Sequence, residues 1–163
     1  MKKVMLFICS CLFFVNVKAQ KLNSGDLDML SGKWAGELTY LDYTSNQQES
    51  IRSFLTVVKK RNSLYRFSYS YPGESGRDGV DNFRVSEDGT AINKMKIVEY
   101  AKIPGGGFKL VLEEKGKDGN NHRPAVFRHI VERSGEKLVL TKMVKFNGED
   151  EFFQRNRYVF NRN

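Results

Sequence analysis

The chain has 163 residues, 27 of them basic and 19 acidic, which gives a formal net charge of +8. It has two histidines, and both of its cysteines lie within the first eleven residues. Most metal sites need three or four close ligands, so this composition excludes them over nearly all of the chain. The length fits one domain, and no linker, repeat or low-complexity tract divides it.

The N-terminus has the pattern of a signal peptide. Lys2 and Lys3 precede an apolar stretch over 4–17, and Val17 and Ala19 occupy the two positions that a signal peptidase reads. We expect cleavage after Ala19, which gives a signal peptide over 1–19 and a mature domain over 20–163. The apolar stretch is shorter than the roughly 20 residues that span a bilayer. A retained signal anchor and lipid attachment at Cys11 are the alternatives.

Removal of the leader changes both charge and redox chemistry. The mature chain keeps 24 basic and 19 acidic residues, a net charge of +5, and has no cysteine. We therefore expect an exported domain, periplasmic or secreted, that folds without disulfides or thiolate ligands. No integral membrane segment follows the leader. This moderate charge carries no recognised nucleic-acid motif, and we expect no nucleic acid partner.

After a short helical turn over Leu27, Met29 and Leu30, the chain alternates apolar and polar residues with period two. Turn dipeptides such as Asp88-Gly89 and Asn147-Gly148 separate the segments. This pattern predicts about nine strands, with a range of eight to ten, over 33–43, 50–60, 64–71, 80–85, 91–103, 108–115, 124–133, 137–146 and 151–160.

Short connections between consecutive strands indicate an antiparallel meander. An open sheet of this length would expose two long edges, and closure into a barrel removes them. We therefore predict an all-β fold, a single up-and-down β-barrel preceded by a short helical turn. A two-sheet sandwich is the alternative.

Trp34 is the only tryptophan and lies between Gly32 and Gly36 at the start of the first strand. This Gly-x-Trp motif, the meander and a last strand containing Arg155-Asn156-Arg157-Tyr158 resemble the lipocalin and calycin superfamily. The wider string also resembles nitrobindin-like proteins and lipocalin-like domains of exported bacterial proteins. The resemblance implies that Trp34 forms the barrel floor and that Arg155 or, preferably, Arg157 covers its ring by a cation–π contact.

The same resemblance does not carry over a haem site or a carboxylate site. The last strand has no histidine to ligate iron, and its Arg155-Asn156-Arg157-Tyr158 run differs by one position from the Arg-x-Tyr pair of fatty-acid-binding proteins. His129 is the one histidine within a predicted strand, where it shares a face with Phe127 and Val131. We predict no cofactor and no metal.

No catalytic motif stands out. Glu113 and Glu114 are adjacent in a strand, so they point to opposite faces and cannot act on one bond together. An enzyme would require groups such as Asp42, Arg128, His129 and Gln154 to converge on one spot. We therefore predict a protein that is not an enzyme.

A barrel of this size leaves room for one small molecule. We predict an exported binding protein that holds a hydrophobic or amphipathic ligand in its lumen. The candidate lining residues are the apolar and tyrosine side chains of the inward faces: Leu38, Tyr40, Ile51, Leu55, Tyr65, Phe67, Tyr69, Phe108, Leu110 and Leu112. The alternative is an interaction or inhibitor protein with a filled barrel that binds a macromolecular or anionic partner through its loops and a basic face.

Overall fold

The computed structural model describes residues 21–74 and 76–163, so the predicted signal peptide and both cysteines lie outside the described residues. A 3-10 helix over Ser24–Leu30 precedes ten strands. They are β1 (Gly32–Asp42), β2 (Gln47–Arg61), β3 (Leu64–Ser70), β4 (Gly79–Arg84), β5 (Ala91–Ile92), β6 (Met95–Lys102), β7 (Gly107–Asp118), β8 (Arg123–Ser134), β9 (Lys137–Phe146) and β10 (Phe153–Arg162).

All ten strands belong to one antiparallel sheet, in the order β4-β3-β2-β1-β10-β9-β8-β7-β6-β5. Strands that follow one another in the chain are neighbours in the sheet, with the exception of β4 and β5. The two ends of the meander are joined because β1 pairs with β10. In that closing pair Trp34 lies opposite Arg162, and Leu38 lies opposite Tyr158. The predicted all-β, up-and-down barrel with a short N-terminal helix is confirmed.

The barrel is nearly closed between β4 and β5. A single bridge, Val85 to Ile92, joins them. Here the prediction of one strand over 91–103 is wrong, because the chain turns at Asn93, whose φ is +54°. The Asn93 side chain accepts a hydrogen bond from the Arg84 N–H at 3.0 Å and donates one to the Asn82 carbonyl at 2.7 Å. Beyond this turn, β4 and β6 are not neighbours in the sheet, which leaves a lateral gap.

The 3-10 helix closes one end of the barrel. Leu27 and Leu30 of this helix are buried, and its two aspartates form ion pairs with two different strands of the barrel wall. Asp28 forms an ion pair with Lys59 of β2 at 2.8 Å, and Asp26 forms one with Lys102 of β6 at 3.1 Å. The helix is therefore tied across the opening. Within the described residues, no helix is long and apolar enough to cross a membrane.

Gly36 lets the closing strands approach each other. Its Cα lies opposite Phe160, and a Cβ built on it would collide with the Val159 carbonyl oxygen. The inward side chains form two separate apolar clusters. The larger one contains Leu30, Trp34 and Phe160 near the helix. The smaller one, which we call the rim cluster, consists of Ala125, Phe127, Val144 and Phe146, with Tyr43 and Phe153 packed against them.

Candidate ligand cavity

Trp34 lies at the base of the barrel, almost fully buried at 1% exposure. Its indole Nε1 donates a hydrogen bond to the Leu30 carbonyl at 2.8 Å, which satisfies the one polar atom of the ring. The Arg162 guanidinium lies 4.5 Å from the ring centroid and donates to the carbonyls of Met29 at 2.8 Å and Ser31 at 3.1 Å. We call Trp34, Arg162 and Leu30 the floor.

The guanidinium over Trp34 therefore belongs to Arg162, and the prediction of Arg155 or Arg157 is corrected. The pairing of β10 with β9 shifts between Gln154 and Asn156, so Arg155 sits at an irregularity. Its guanidinium lies 4.2 Å from the Tyr43 ring and donates to the Leu41 carbonyl. Arg157 is adjacent to the inward Tyr158 and therefore points to the outer face.

Above the floor lies a cavity of about 500 Å³. Its lower wall is apolar and includes Leu27, Leu30 and Met95. Its wall also includes Asp81 and Asn82 of β4 and Asn93 and Lys94 of the turn before β6, which are the two edges of the lateral gap. The cavity therefore opens through the side of the barrel.

Four of the predicted lining residues lie in the cavity wall: Phe67, Tyr69, Leu110 and Leu112. The structure places the other six elsewhere. Leu55, Tyr65 and Phe108 are at most 1% exposed and pack in the larger apolar cluster. Leu38 is also buried, and Tyr40 and Ile51 are partly buried, but none of the three reaches the cavity. Around Leu55, Tyr65 and Phe108, neighbouring side chains of that cluster fill the space. Ligand contact at the other four stays a prediction.

The upper wall of the cavity carries four ionisable side chains, which we call the charged wall: Asp81, Glu114, His129 and Lys142. They come from β4, β7, β8 and β9 respectively. The His129 Nε2 lies 3.4 Å from Glu114 Oε1, but this atom is buried and forms no hydrogen bond with the described residues. Lys142 lies above the rim cluster, with its Nζ 4.0 Å from the Phe127 ring centroid.

Burial shifts the pKa values of His129, Lys142 and Asp81 in favour of their neutral forms. It lowers the pKa of His129, against the opposing effect of Glu114. It lowers the pKa of Lys142 despite Asp118, whose carboxylate lies 3.9 Å from the Lys142 Nζ. Burial likewise raises the pKa of Asp81, although its side chain remains accessible to solvent at the gap. The Asp81 side chain is exposed to solvent, but the protein atoms around the cavity still reduce the hydration of its carboxylate.

Neutral polar groups complete the wall. The Tyr158 and Tyr71 hydroxyls are 2.7 Å apart and share a hydrogen bond, and the Tyr69 ring lies 5.4 Å from the Tyr158 ring. Burial raises the pKa of Tyr69 and of Tyr158, so both hydroxyls stay protonated at neutral pH. Asn156 lies beside Tyr158 in the same wall.

The groups that an enzyme would require do not meet. Asp42 binds the Thr44 amide and the Ser45 hydroxyl in the turn after β1. Arg128 lies on the outer face, where it pairs with Glu113 at 2.7 Å and covers the Phe152 ring. Among residues 21–74 and 76–163 no group of three or more His, Cys, Asp or Glu side chains is arranged to hold a metal ion. The arrangement suits binding of a small molecule.

Sequence comparison finds no relative: neither a protein-family model nor a curated protein matches the chain. Solved structures of the fluorescent protein UnaG share part of the backbone arrangement. A mutant of UnaG is 12% identical with a TM-score of 0.46, and the match covers 84% of this chain and 98% of that chain. The wild type is 10% identical with a TM-score of 0.44, covering 84% and 99%. These values concern the fold alone.

Sequence reasoning did not identify Asp81, Glu114 and Lys142 as cavity residues. Each interrupts an inward row of apolar side chains: Glu114 follows Leu110 and Leu112, and Lys142 follows Leu138 and Leu140. A charged residue in the inward register of a strand is the signal that marks such positions. Their convergence depends on the register of three adjacent strands and on the position of β4.

Proposed function

We propose that this protein is an exported, lipocalin-like binding protein that holds a small hydrophobic or amphipathic ligand in the barrel lumen. The observation that carries the proposal is the cavity of about 500 Å³ between the floor and the charged wall. Sites for small molecules have volumes of roughly 300–1,000 Å³ and combine apolar walls with a few polar groups.

The distribution of groups along the cavity favours an amphipathic ligand. Burial of each CH₂ group contributes about 0.8 kcal/mol, and the apolar lower wall offers that burial to a hydrocarbon. The tyrosine hydroxyls and the charged wall lie on the upper part and offer hydrogen bonds to a polar head. A ligand with an apolar body and a polar end matches both parts.

The open lumen argues against the alternative of an interaction protein with a filled barrel. In that alternative, side chains fill the interior to native density, and only the loops and outer face contact a partner. Here the side chains of β3, β7 and β8 surround free space.

Export to the periplasm or the medium is part of the proposal and rests on the sequence pattern of residues 1–19. N-terminal sequencing of the protein recovered from outside the cytoplasm tests it. We expect the mature protein to begin at Gln20. A protein retained in the cytoplasm with Met1 intact would contradict export without affecting the proposed binding.

Native mass spectrometry of the purified protein tests ligand binding. We expect the wild type to carry a small molecule or to bind added decanol, which has no charge. Leu140→Trp fills the cavity, and we expect it to lose this binding. The matched control is Val98→Trp, which adds the same side chain at a position 42% exposed to solvent. Absence of any binding by the folded wild type, or unchanged binding by Leu140→Trp, would contradict the proposal.

A further inference from the structure

The charged wall contains two carboxylates that form no ion pair with a lysine or arginine of the described residues. Asp81 forms no hydrogen bond or ion pair with the described residues, and Glu114 has only the contact with the His129 ring. Asp81 is exposed at the gap and Glu114 is partly buried, so a cation that enters the cavity is attracted by both negative charges.

The nearby cations form no ion pair with either carboxylate, and Lys142 interacts with Glu114 only at longer range. Lys142 lies between the Asp118 carboxylate and the Phe127 ring, and Asp118 also accepts a hydrogen bond from the Tyr43 hydroxyl at 3.2 Å. Arg155 covers the Tyr43 ring and donates to the Leu41 carbonyl. Lys94, at the gap, is exposed to solvent and lies beyond ion-pair distance of both carboxylates.

His129 adds a third acceptor. Burial lowers the pKa of its ring, so the ring is neutral at neutral pH and one nitrogen carries a free lone pair. Its buried Nε2 has no hydrogen-bond partner among the described residues. In the tautomer that carries its proton on Nδ1, this nitrogen accepts a hydrogen bond from a donor that enters the cavity.

Three acceptors of this kind match the three N–H donors of a protonated primary amine. Resting on the proposed function, we propose that the ligand is a cationic amphiphile whose ammonium group binds at Asp81, Glu114 and His129 while its apolar part lies over the floor. The proposed preference for a cationic ligand is opposite to the effect of the protein's net positive charge, which attracts anions at long range.

Isothermal titration calorimetry with decylamine, decanoate and decanol at neutral pH tests the proposal. The three probes share one alkyl chain and differ in head charge. We expect decylamine to bind about tenfold more tightly than decanol, as one or two charge-assisted hydrogen bonds provide, and decanoate to bind most weakly. Because the net charge of the protein favours decanoate, a preference for decylamine reports the cavity itself.

Glu114→Gln and Asp81→Asn remove one charge each with little change in shape. We expect each to weaken decylamine binding by about tenfold and to weaken decanol binding much less, because decanol is uncharged; retained decanol binding also shows that the variants are folded. The matched control is Glu113→Gln, the neighbouring residue on the outer face of the same strand, and we expect it to bind decylamine like the wild type.

Tighter binding of decanoate or decanol than of decylamine would overturn the cationic head and leave the proposed function intact. Unchanged decylamine affinity in both Glu114→Gln and Asp81→Asn would do the same. If the folded wild type binds none of the three probes, the proposed function fails and this inference fails with it.

Discussion

The floor and the charged wall differ in how far the protein itself satisfies their polar groups. At the floor, the Trp34 Nε1 and the Arg162 guanidinium both have carbonyl partners within 3.1 Å. At the charged wall, the buried His129 Nε2 has no hydrogen-bond partner among the described residues, and the Asp81 carboxylate is exposed at the gap. Satisfied buried groups rigidify a fold, whereas unsatisfied ones cost stability and persist where a site uses them. The floor therefore stabilises the barrel, whereas the charged wall leaves polar groups available, as the proposed binding function requires.

The largest expected effect separates the two regions by stability. Replacing Trp34 with alanine leaves a large void under the strands and removes the indole hydrogen bond. We expect the free energy of unfolding to fall by about 3–5 kcal/mol. Urea unfolding followed by circular dichroism measures it, because Trp34 is the only tryptophan and its fluorescence is lost. Val98→Ala, at an exposed position, is the control, and an equal loss there would refute the special role of the floor.

A smaller effect tests the floor guanidinium. Arg162→Lys keeps the positive charge but loses the planar fork that reaches the Met29 and Ser31 carbonyls. We expect the free energy of unfolding to fall by about 1–2 kcal/mol. Arg157→Lys makes the same exchange on the outer face of the same strand and is expected to change stability by less than about 0.5 kcal/mol. Equal effects of the two exchanges would show that Arg162 has no special contact.

The smallest effect has the opposite sign. Burial raises the pKa of Asp81 in the folded state, so ionised Asp81 costs stability above that pKa. The cost fades as the pH falls through the folded pKa and is gone below the ordinary value of 3.8. We therefore expect Asp81→Asn to stabilise the protein at neutral pH by less than about 1 kcal/mol and to have no effect in acid.

Thermal unfolding across this pH range measures that difference between Asp81→Asn and the wild type. Asp150→Asn, in the exposed β9–β10 connection, is the control, and it is expected to be neutral throughout. Destabilisation by Asp81→Asn at neutral pH would show that the carboxylate is a structural group, like those of the floor.

The sequence predicted the barrel well because its evidence is local. Alternation along 64–71 and 108–115, with glycine turns between strands, is set by neighbouring residues. Trp34 was expected at the floor because its Gly-x-Trp motif, with flanking glycines, resembles that of the lipocalin and calycin superfamily. The split of 91–103 was missed because it depends on the left-handed conformation of Asn93 and on its bonds to β4.

The cavity was harder to predict because its members come together only through register. The irregularity between Gln154 and Asn156 changes which side chains at the start of β10 face inward, and Arg162 was missed because the predicted last strand ended at residue 160. Glu114 and His129 belong to adjacent strands, but Asp81 reaches them across the lumen. His129 was considered as an inward residue, and only the three-dimensional pairing shows which carboxylates accompany it.

The pairing of β1 with β10 also bears on how the chain reaches its native state. The partner of β1 lies more than a hundred residues further along the chain, and this same distant strand carries Arg162, whose guanidinium covers Trp34. Contacts so distant in sequence slow folding, since the loop they close must first lose its entropy. Trp34 therefore stays uncovered until β10 has paired with β1 and has placed Arg162 over the indole.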